Sequence, residues 1–131
     1  MKKQESKQFA GVWLDNQQAM IISSSPETAM GEYSILKKVK ATETQGGGSE
    51  HSMNNAKQTG HLKYFKAISH LLMPYDEILL FGPGQSQEQF QHHLQDDVQF
   101  KSKQITIDSS DQLTDPQRIA KVRDFFKGRQ S

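Results

Sequence analysis

Several aspartate and histidine side chains of this chain are candidates for binding a metal ion or exchanging protons. Asp15 directly follows the first apolar run and Asp108 a later one, as carboxylates do in metal-dependent nucleases and phosphotransfer enzymes. Two carboxylates are too few for such a site, and Asp15 is typical of a turn. His61 and His70 project from opposite faces of a predicted helix, at about 100° per residue. The sequence predicts no metal site and no cofactor.

The turn Gly82-Pro83-Gly84 separates an apolar run from a polar helix start, where nucleotide-binding proteins carry a phosphate-binding loop. A dinucleotide fingerprint beginning at Gly82 needs a glycine at the position of Gln87. A phosphate loop needs Lys-Ser or Lys-Thr after its last glycine, and neither follows. The segment instead predicts a tight turn that delivers a helix with Ser86 as its N-cap.

The one clearly basic stretch of the chain is residues 51–75, which contain no aspartate or glutamate. Lys63, Lys66 and His70 recur on one side of a predicted helix, and Lys57 precedes them. Such side chains contact the phosphates of a nucleic acid. A solvated helix face explains the same residues, so both interpretations stay open.

The elements that would position these groups follow from the hydrophobic pattern. Residues 9–14 and 19–22 are apolar runs close enough to pair as a hairpin. Residues 33–39 alternate apolar and polar side chains, as a half-buried strand does. An apolar stripe and a following proline predict a helix over residues 62–72. That stripe consists of Leu62, Phe65, Ile68 and Leu72.

Residues 78–81 form an apolar run without alternation, which is typical of a strand buried on both faces. A helix after the turn, a strand within residues 98–107 and a helix within residues 115–127 complete the order. The sequence therefore predicts an α/β fold of three layers, with a mixed sheet and the order β-β-β-α-β-α-β-α. Because residues 9–14 are equally apolar, we expect residues 78–81 to be central and parallel to them.

The strand end at Phe81, the Gly-Pro-Gly turn and the polar helix start leading to Phe90 resemble the middle domain of the eukaryotic and archaeal peptide-chain release factors. The ribosome-rescue factor Pelota and bacterial relatives of both are similar. The resemblance covers roughly residues 9–126. It implies the fold predicted above, which also has the order of ribonuclease-H-like domains, and it implies association with the ribosome or with RNA.

The hydrolytic motif of that family is Gly-Gly-Gln, in the long loop before the first long helix, where the glutamine positions water. The matching loop of this chain has its glutamine before the glycines: Gln45, Gly46, Gly47 and Gly48. The resemblance therefore transfers no catalytic residue, and implies a domain that binds without hydrolysing. The family's flanking domains are missing from this sequence. We therefore expect it to act alone, as a homo-oligomer or with a separate partner chain.

A length of 131 residues is that of a single domain, and we expect this domain to be cytoplasmic. The chain has no cysteine, its first residues are polar, and no apolar run has the length of a membrane span, so we expect no membrane partner. With a net charge of +1, any nucleic-acid binding must come from a local basic stretch. We expect one domain over residues 9–127 and flexible tails at residues 1–8 and 128–131. A Gly-rich loop over residues 41–60 is either functional or simply disordered.

Three functions are compatible with the sequence. The first is a non-enzymatic binding domain associated with ribosomes or RNA, in which Lys57, Lys63, Lys66 and His70 contact phosphates. The second is a metal-dependent nuclease or phosphotransfer domain of ribonuclease-H-like type that uses Asp15. The third is a protein-interaction or oligomerisation module. We favour the first, a binding domain rather than an enzyme.

Overall fold

The computed structural model of the chain describes residues 8–24, 32–41 and 53–127, with side chains in the last range described from Leu62 onward. The strands and helices follow the order predicted from the sequence. They are β1 (Phe9–Leu14), β2 (Gln18–Ser23), β3 (Ser34–Lys40), α1 (Met53–Leu72), β4 (Glu77–Gly82), α2 (Ser86–Gln95), a 3-10 turn (Val98–Phe100), β5 (Gln104–Ser109) and α3 (Asp115–Phe126).

The described strands form one mixed sheet in the order β3-β2-β1-β4-β5. β1 pairs antiparallel with β2, with Val12 opposite Ile21, and parallel with β4, with Val12 opposite Leu80. β4 is in turn parallel to β5. The predicted parallel pairing of the two apolar runs is confirmed. β4 is an interior strand, one position from the sheet centre, which β1 occupies.

Buried apolar side chains form a layer on each face of the sheet. One layer joins alternate β1 residues, such as Ala10 and Leu14, to α1 and α2. The other joins Phe9 and Trp13 to α3. Because successive strand residues point to opposite faces, a strand covered on both faces is apolar at nearly every position. Every residue of β1 and β4 is buried, and the predicted three-layer architecture is confirmed.

Two glycines permit close approaches between elements. A Cβ atom at Gly11 would overlap a methyl group of Val122, so the missing side chain lets α3 pack directly on β1. A Cβ atom at Gly82 would overlap the backbone oxygen of Leu14. The carboxyl ends of β1 and β4 therefore meet more closely than any residue with a side chain at position 82 would allow.

The inward side of α1 differs from the predicted stripe. Tyr64, Ile68 and Leu72 are fully buried, whereas Leu62 is 48% exposed and Phe65 is half-buried. The tyrosine ring can lie inside because its hydroxyl group has a partner: it donates a hydrogen bond to the Asp15 backbone oxygen at 3.0 Å.

β5 begins later than the alternation of residues 98–107 suggested. The first part of that stretch is the 3-10 turn, which begins after Asp97. The Asp97 side chain accepts a hydrogen bond from the Gln99 N–H. The apolar residues of the stretch therefore divide between the turn, which contributes the buried Phe100, and the strand, which contributes Ile105 and Ile107.

Candidate nucleic-acid interface

The basic face of α1, defined by Lys63, Lys66 and His70, lies on the side of the helix opposite the core. All three side chains are exposed, whereas Tyr64 on the other side is fully buried. Their spacing of three and four residues places them along one helix face. The structure thus brings these predicted residues together. The backbone of Lys57 is part of the same helix, and its side chain lies outside the described part of the chain.

An aromatic cluster of Phe65, Phe90 and His93 borders the basic face. The His93 ring centroid lies 5.6 Å from that of Phe65 and 6.0 Å from that of Phe90. Burial lowers the pKa of His93; the charge of Asp97 opposes this shift, and the charge of Lys66 adds to it. Phe65 and His93 are half-buried, whereas Phe90 is fully buried. Partly exposed rings beside cations, such as those of Phe65 and His93, are suited to stacking unpaired RNA bases. Sequence reasoning missed this cluster because it joins two different helices.

Lys37, Lys38 and Lys40 add exposed positive charge on β3, the strand at one end of the sheet. Lys37 lies opposite Ile21, whose side chain belongs to the core layer beneath α1, so Lys37 projects from the α1 face. Exposed lysines also hinder an edge strand from pairing with another chain. The sequence signal was the Lys-Lys-Val-Lys run, but local alternation does not reveal that a strand lies at the edge.

The glycine-rich loop lies mostly outside the described residues. α1 begins at Met53, so residues 53–60, expected within the loop, have a helical backbone. The predicted loop residues Gln45, Gly46, Gly47 and Gly48 lie outside the described residues. The expectation that this loop is either functional or simply disordered stays a prediction.

Asp15 is a turn residue in the structure. Its carboxylate accepts two backbone N–H groups of the β1–β2 turn, at 2.8 and 2.9 Å. Burial, and then the Asp15 charge, raise the pKa of the Tyr64 hydroxyl, which stays protonated as a donor. Asp108 forms an ion pair with Lys121 at 2.9 Å, and this hydrogen bond lowers the Asp108 pKa. Within the described residues, no three His, Asp or Glu side chains form a group that could hold a metal ion.

The helix after the Gly-Pro-Gly turn is not capped by Ser86, contrary to the sequence prediction. Ser86 is the first residue of α2, and the N-cap position is Gln85, whose side chain makes no capping hydrogen bond. The buried Gln87 stabilises the turn instead. Its Nε2 donates to the backbone oxygens of Gly82 at 3.1 Å and of Asp108 at 3.3 Å. Gln87 therefore holds the carboxyl ends of β4 and β5 together.

Comparison with known proteins bears on the fold. No protein-family model matches the sequence, and no curated protein matches it. Among solved structures, Pelota from Thermoplasma acidophilum covers 96% of this chain and 34% of its own, at 19% identity and a TM-score of 0.57. Pelota from Archaeoglobus fulgidus covers 95% of this chain and 34% of its own, at 11% identity and a TM-score of 0.61. The chain has the fold of a Pelota domain.

This Pelota-like fold confirms the resemblance and the α/β class predicted from the sequence. An archaeal translation termination factor also matches, over 92% of this chain and 39% of its own, at 13% identity and a TM-score of 0.48. The chain spans about a third of the length of the Pelota proteins, and at these identities the likeness establishes the fold alone. In the described part of the Pelota-like domain, no helix is long and apolar enough to cross a membrane.

We expect the stability of the Pelota-like domain to fall, in part through His93, as the pH drops from about 7 to about 5. Burial holds the pKa of His93 below its ordinary value, which is about 6.5 in the unfolded chain. The folded state therefore favours the neutral ring, and protonation of the ring favours unfolding. That contribution is present above the unfolded pKa and is lost as the pH falls through the folded pKa.

Urea denaturation at a series of pH values measures this dependence. The His93→Gln variant should lose less stability on acidification than the parent protein. The matched control is His92→Gln, because the neighbouring His92 is exposed; it should behave as the parent does. Identical pH dependence in the parent and in His93→Gln would contradict the assignment.

Proposed function

We propose that this chain is a non-enzymatic binding domain that associates with the ribosome or with RNA through the basic face of α1. The observation that carries the proposal is the exposure of Lys63, Lys66 and His70 on one helix face, bordered by the half-buried rings of Phe65 and His93. Ammonium groups contact phosphates, and the adjacent rings offer a stacking surface for unpaired bases.

The charge distribution supports a local interface on an otherwise balanced molecule. The chain carries 16 lysines and arginines against 15 aspartates and glutamates, yet residues 51–75 include no acidic residue. Exposed charges are screened over about 10 Å at 0.1 M salt. Asp97 lies near enough to act on His93 beside the basic face, whereas acidic side chains beyond this screening length do little to weaken the attraction between the face and a phosphate backbone.

The absence of hydrolysis is part of the proposal. The Pelota-like fold supports a translation-factor-like domain, and the sequence before α1 has its glutamine before the glycines rather than after them. We therefore expect no release of labelled peptide from ribosomes above a buffer control. Release above that control would indicate that another group of the domain positions the attacking water.

Reversing the charge of Lys57, Lys63 and Lys66 together, each to glutamate, should weaken RNA binding by about tenfold or more. Fluorescence anisotropy with a labelled single-stranded RNA, at a series of salt concentrations, measures the change. Each lost phosphate contact should make the dependence of log K on log salt shallower by about 0.7 for a single strand. Because Lys63 and Lys66 are exposed, the thermal midpoint should change little.

The matched control reverses Lys101, Arg123 and Lys127, which are also exposed and alter the net charge equally. This control should retain most of the affinity, because its residues lie on the turn before β5, on α3 and directly after α3. An equal loss in both triple variants would show non-specific attraction and contradict the assigned face. Co-sedimentation of the parent protein with ribosomes, and its loss in the α1 variant, would identify the ribosome as the source of the RNA.

A further inference from the structure

The outer edge of β5 presents backbone groups that the described sheet leaves without a strand partner. The backbone N–H groups of Gln104 and Ser110 donate to the backbone oxygens of Asp76 and Gly82, at 3.0 and 2.9 Å. The backbone N–H and C=O groups of the even-numbered β5 residues therefore point toward β4. Those of the odd-numbered residues Ile105, Ile107 and Ser109 point away from β4, toward the outer edge. The Ser109 N–H is occupied by the Asp108 carboxylate at 2.8 Å. In the part of the chain that the structure describes, β5 ends the sheet.

The two ends of the sheet differ in their protection against pairing. β3 carries three exposed lysines, a common way to prevent an edge strand from adding another chain. β5 reads Gln-Ile-Thr-Ile-Asp-Ser, with neither lysine nor proline, and its two isoleucines and threonine favour extended structure. Among the described residues, the β5 edge therefore lacks the lysines that discourage strand addition at the β3 edge.

We propose that β5 pairs antiparallel with β5 of a second copy of this chain, about a two-fold axis at Thr106. In this register Ile105 lies opposite Ile107 of the second copy, and each donates its N–H to the other's backbone oxygen. These are the outward donors that remain once the Ser109 N–H is bound by Asp108. The proposed ladder thus uses the outward N–H groups of Ile105 and Ile107. It ends at Ser109, whose N–H is already bound by the Asp108 carboxylate.

Charge complementarity favours a second copy in this register. Lys101 precedes β5 and Asp111 follows it, and both side chains are exposed. Antiparallel pairing about Thr106 brings Lys101 of one copy to the same end of the ladder as Asp111 of the other. Like charges directly opposite each other would destabilise the pair. Within this ladder Asp108 faces Gln104, so no like charges meet.

A cleft lies beside β5, where the added strand would run. It has a volume of about 330 Å³. Ile105 is its partly exposed apolar residue, Leu94 and Phe100 are almost completely buried, and the remaining lining is polar: Gln91, Gln95, Lys101 and Lys103. Ile105 and Ile107 both project onto this α2 face of the sheet. In the proposed dimer, Ile107 of the second copy lies next to Ile105 at the mouth of the cleft, and the apolar contact removes both side chains from water.

The substitution Thr106→Cys tests the axis directly, because the chain contains no other cysteine. Residues at a non-hydrogen-bonded antiparallel position have Cα atoms about 4.5 Å apart, within the range of a disulfide. Mild oxidation should therefore produce a disulfide-linked dimer on a non-reducing gel. Two controls should give no disulfide-linked dimer on the same gel: Leu36→Cys on the β3 edge, and Gln104→Cys, which this register places opposite Asp108 of the second copy.

The unmodified protein provides the second readout. Light scattering over a dilution series should show a species of twice the 14.9 kDa chain mass, and Thr106→Lys should return it to the monomer mass by placing two cations across the axis. Circular dichroism confirms that this variant is folded. A monomer at every concentration, a dimer that survives Thr106→Lys, or cross-linking of Thr106→Cys no greater than that of Leu36→Cys would each overturn the proposal.

Discussion

Replacing Phe81 by alanine is expected to lower the free energy of unfolding by about 3–5 kcal/mol, as large-to-small changes in a packed core do. Phe81 is fully buried on β4, where it lies opposite Trp13 of β1. Its ring belongs to the core layer beneath α3, and the Lys121 ammonium nitrogen lies 5.8 Å from the ring centroid. Alanine would leave a cavity between the sheet and α3, and the hydrogen-bonded strands cannot move to close it.

Urea denaturation followed by circular dichroism measures this loss. The control is Leu36→Ala on the β3 edge, where the side chain is 38% exposed, and it should change the stability by about 1 kcal/mol or less. An unfolding midpoint for Phe81→Ala close to that of the parent would mean that the ring lies outside the core.

Replacing Trp13 by alanine is expected to cost at least as much, about 3–5 kcal/mol for the lost ring and up to about 2 kcal/mol for a desolvated cation–π contact. The guanidinium carbon of Arg118 lies 3.9 Å from the Trp13 ring centroid, and Arg118 is only 8% exposed. One Arg118 nitrogen also donates to Asp115 at 2.7 Å. Without the indole, the largely buried Arg118 guanidinium loses its aromatic contact, and this loss adds to the free-energy cost of the cavity.

A double-mutant cycle with Arg118→Met separates the two contributions. If the stacking is energetically significant, Trp13→Ala should cost less in the Arg118→Met background than in the parent. Trp13→Phe should cost less than half as much as Trp13→Ala. It keeps a ring beneath Arg118, and it removes an indole N–H that is buried without a hydrogen-bond partner among the described residues. Equal costs of Trp13→Ala in both backgrounds would show that the cation contributes nothing.

Local sequence pattern was sufficient for the type and order of the elements. The apolar runs at residues 9–14 and 78–81 lack alternation because the corresponding strands are covered on both faces, and both are buried throughout. The basic face of α1 was also predictable, because Lys63, Lys66 and His70 repeat with the period of a helix. In each case burial or exposure repeats with the geometry of the element itself, and the pattern can be read without knowing its neighbours.

The first residue of a helix and the exact residues of its buried side were less predictable from the sequence, because they depend on the precise backbone conformation. Ser86 has the residue type of an N-cap, yet the helix begins at Ser86 and the cap position falls on Gln85. Leu62 fits an apolar stripe, yet it is 48% exposed, because α1 turns Tyr64 toward the sheet. Among the described residues, the partner of the Tyr64 hydroxyl is the backbone oxygen of Asp15, which belongs to the turn between β1 and β2.

By itself, the sequence determined the α/β class, the order of the elements and which helix carries the basic face. Only the tertiary structure decided which strands lie at the edges, that His93 contacts Phe65 beside that face, and that Arg118 lies over Trp13. The physical reason is that these contacts join elements distant in the chain. Their proximity depends on the order in which strands pair, and that order leaves no periodic signal in the residues themselves.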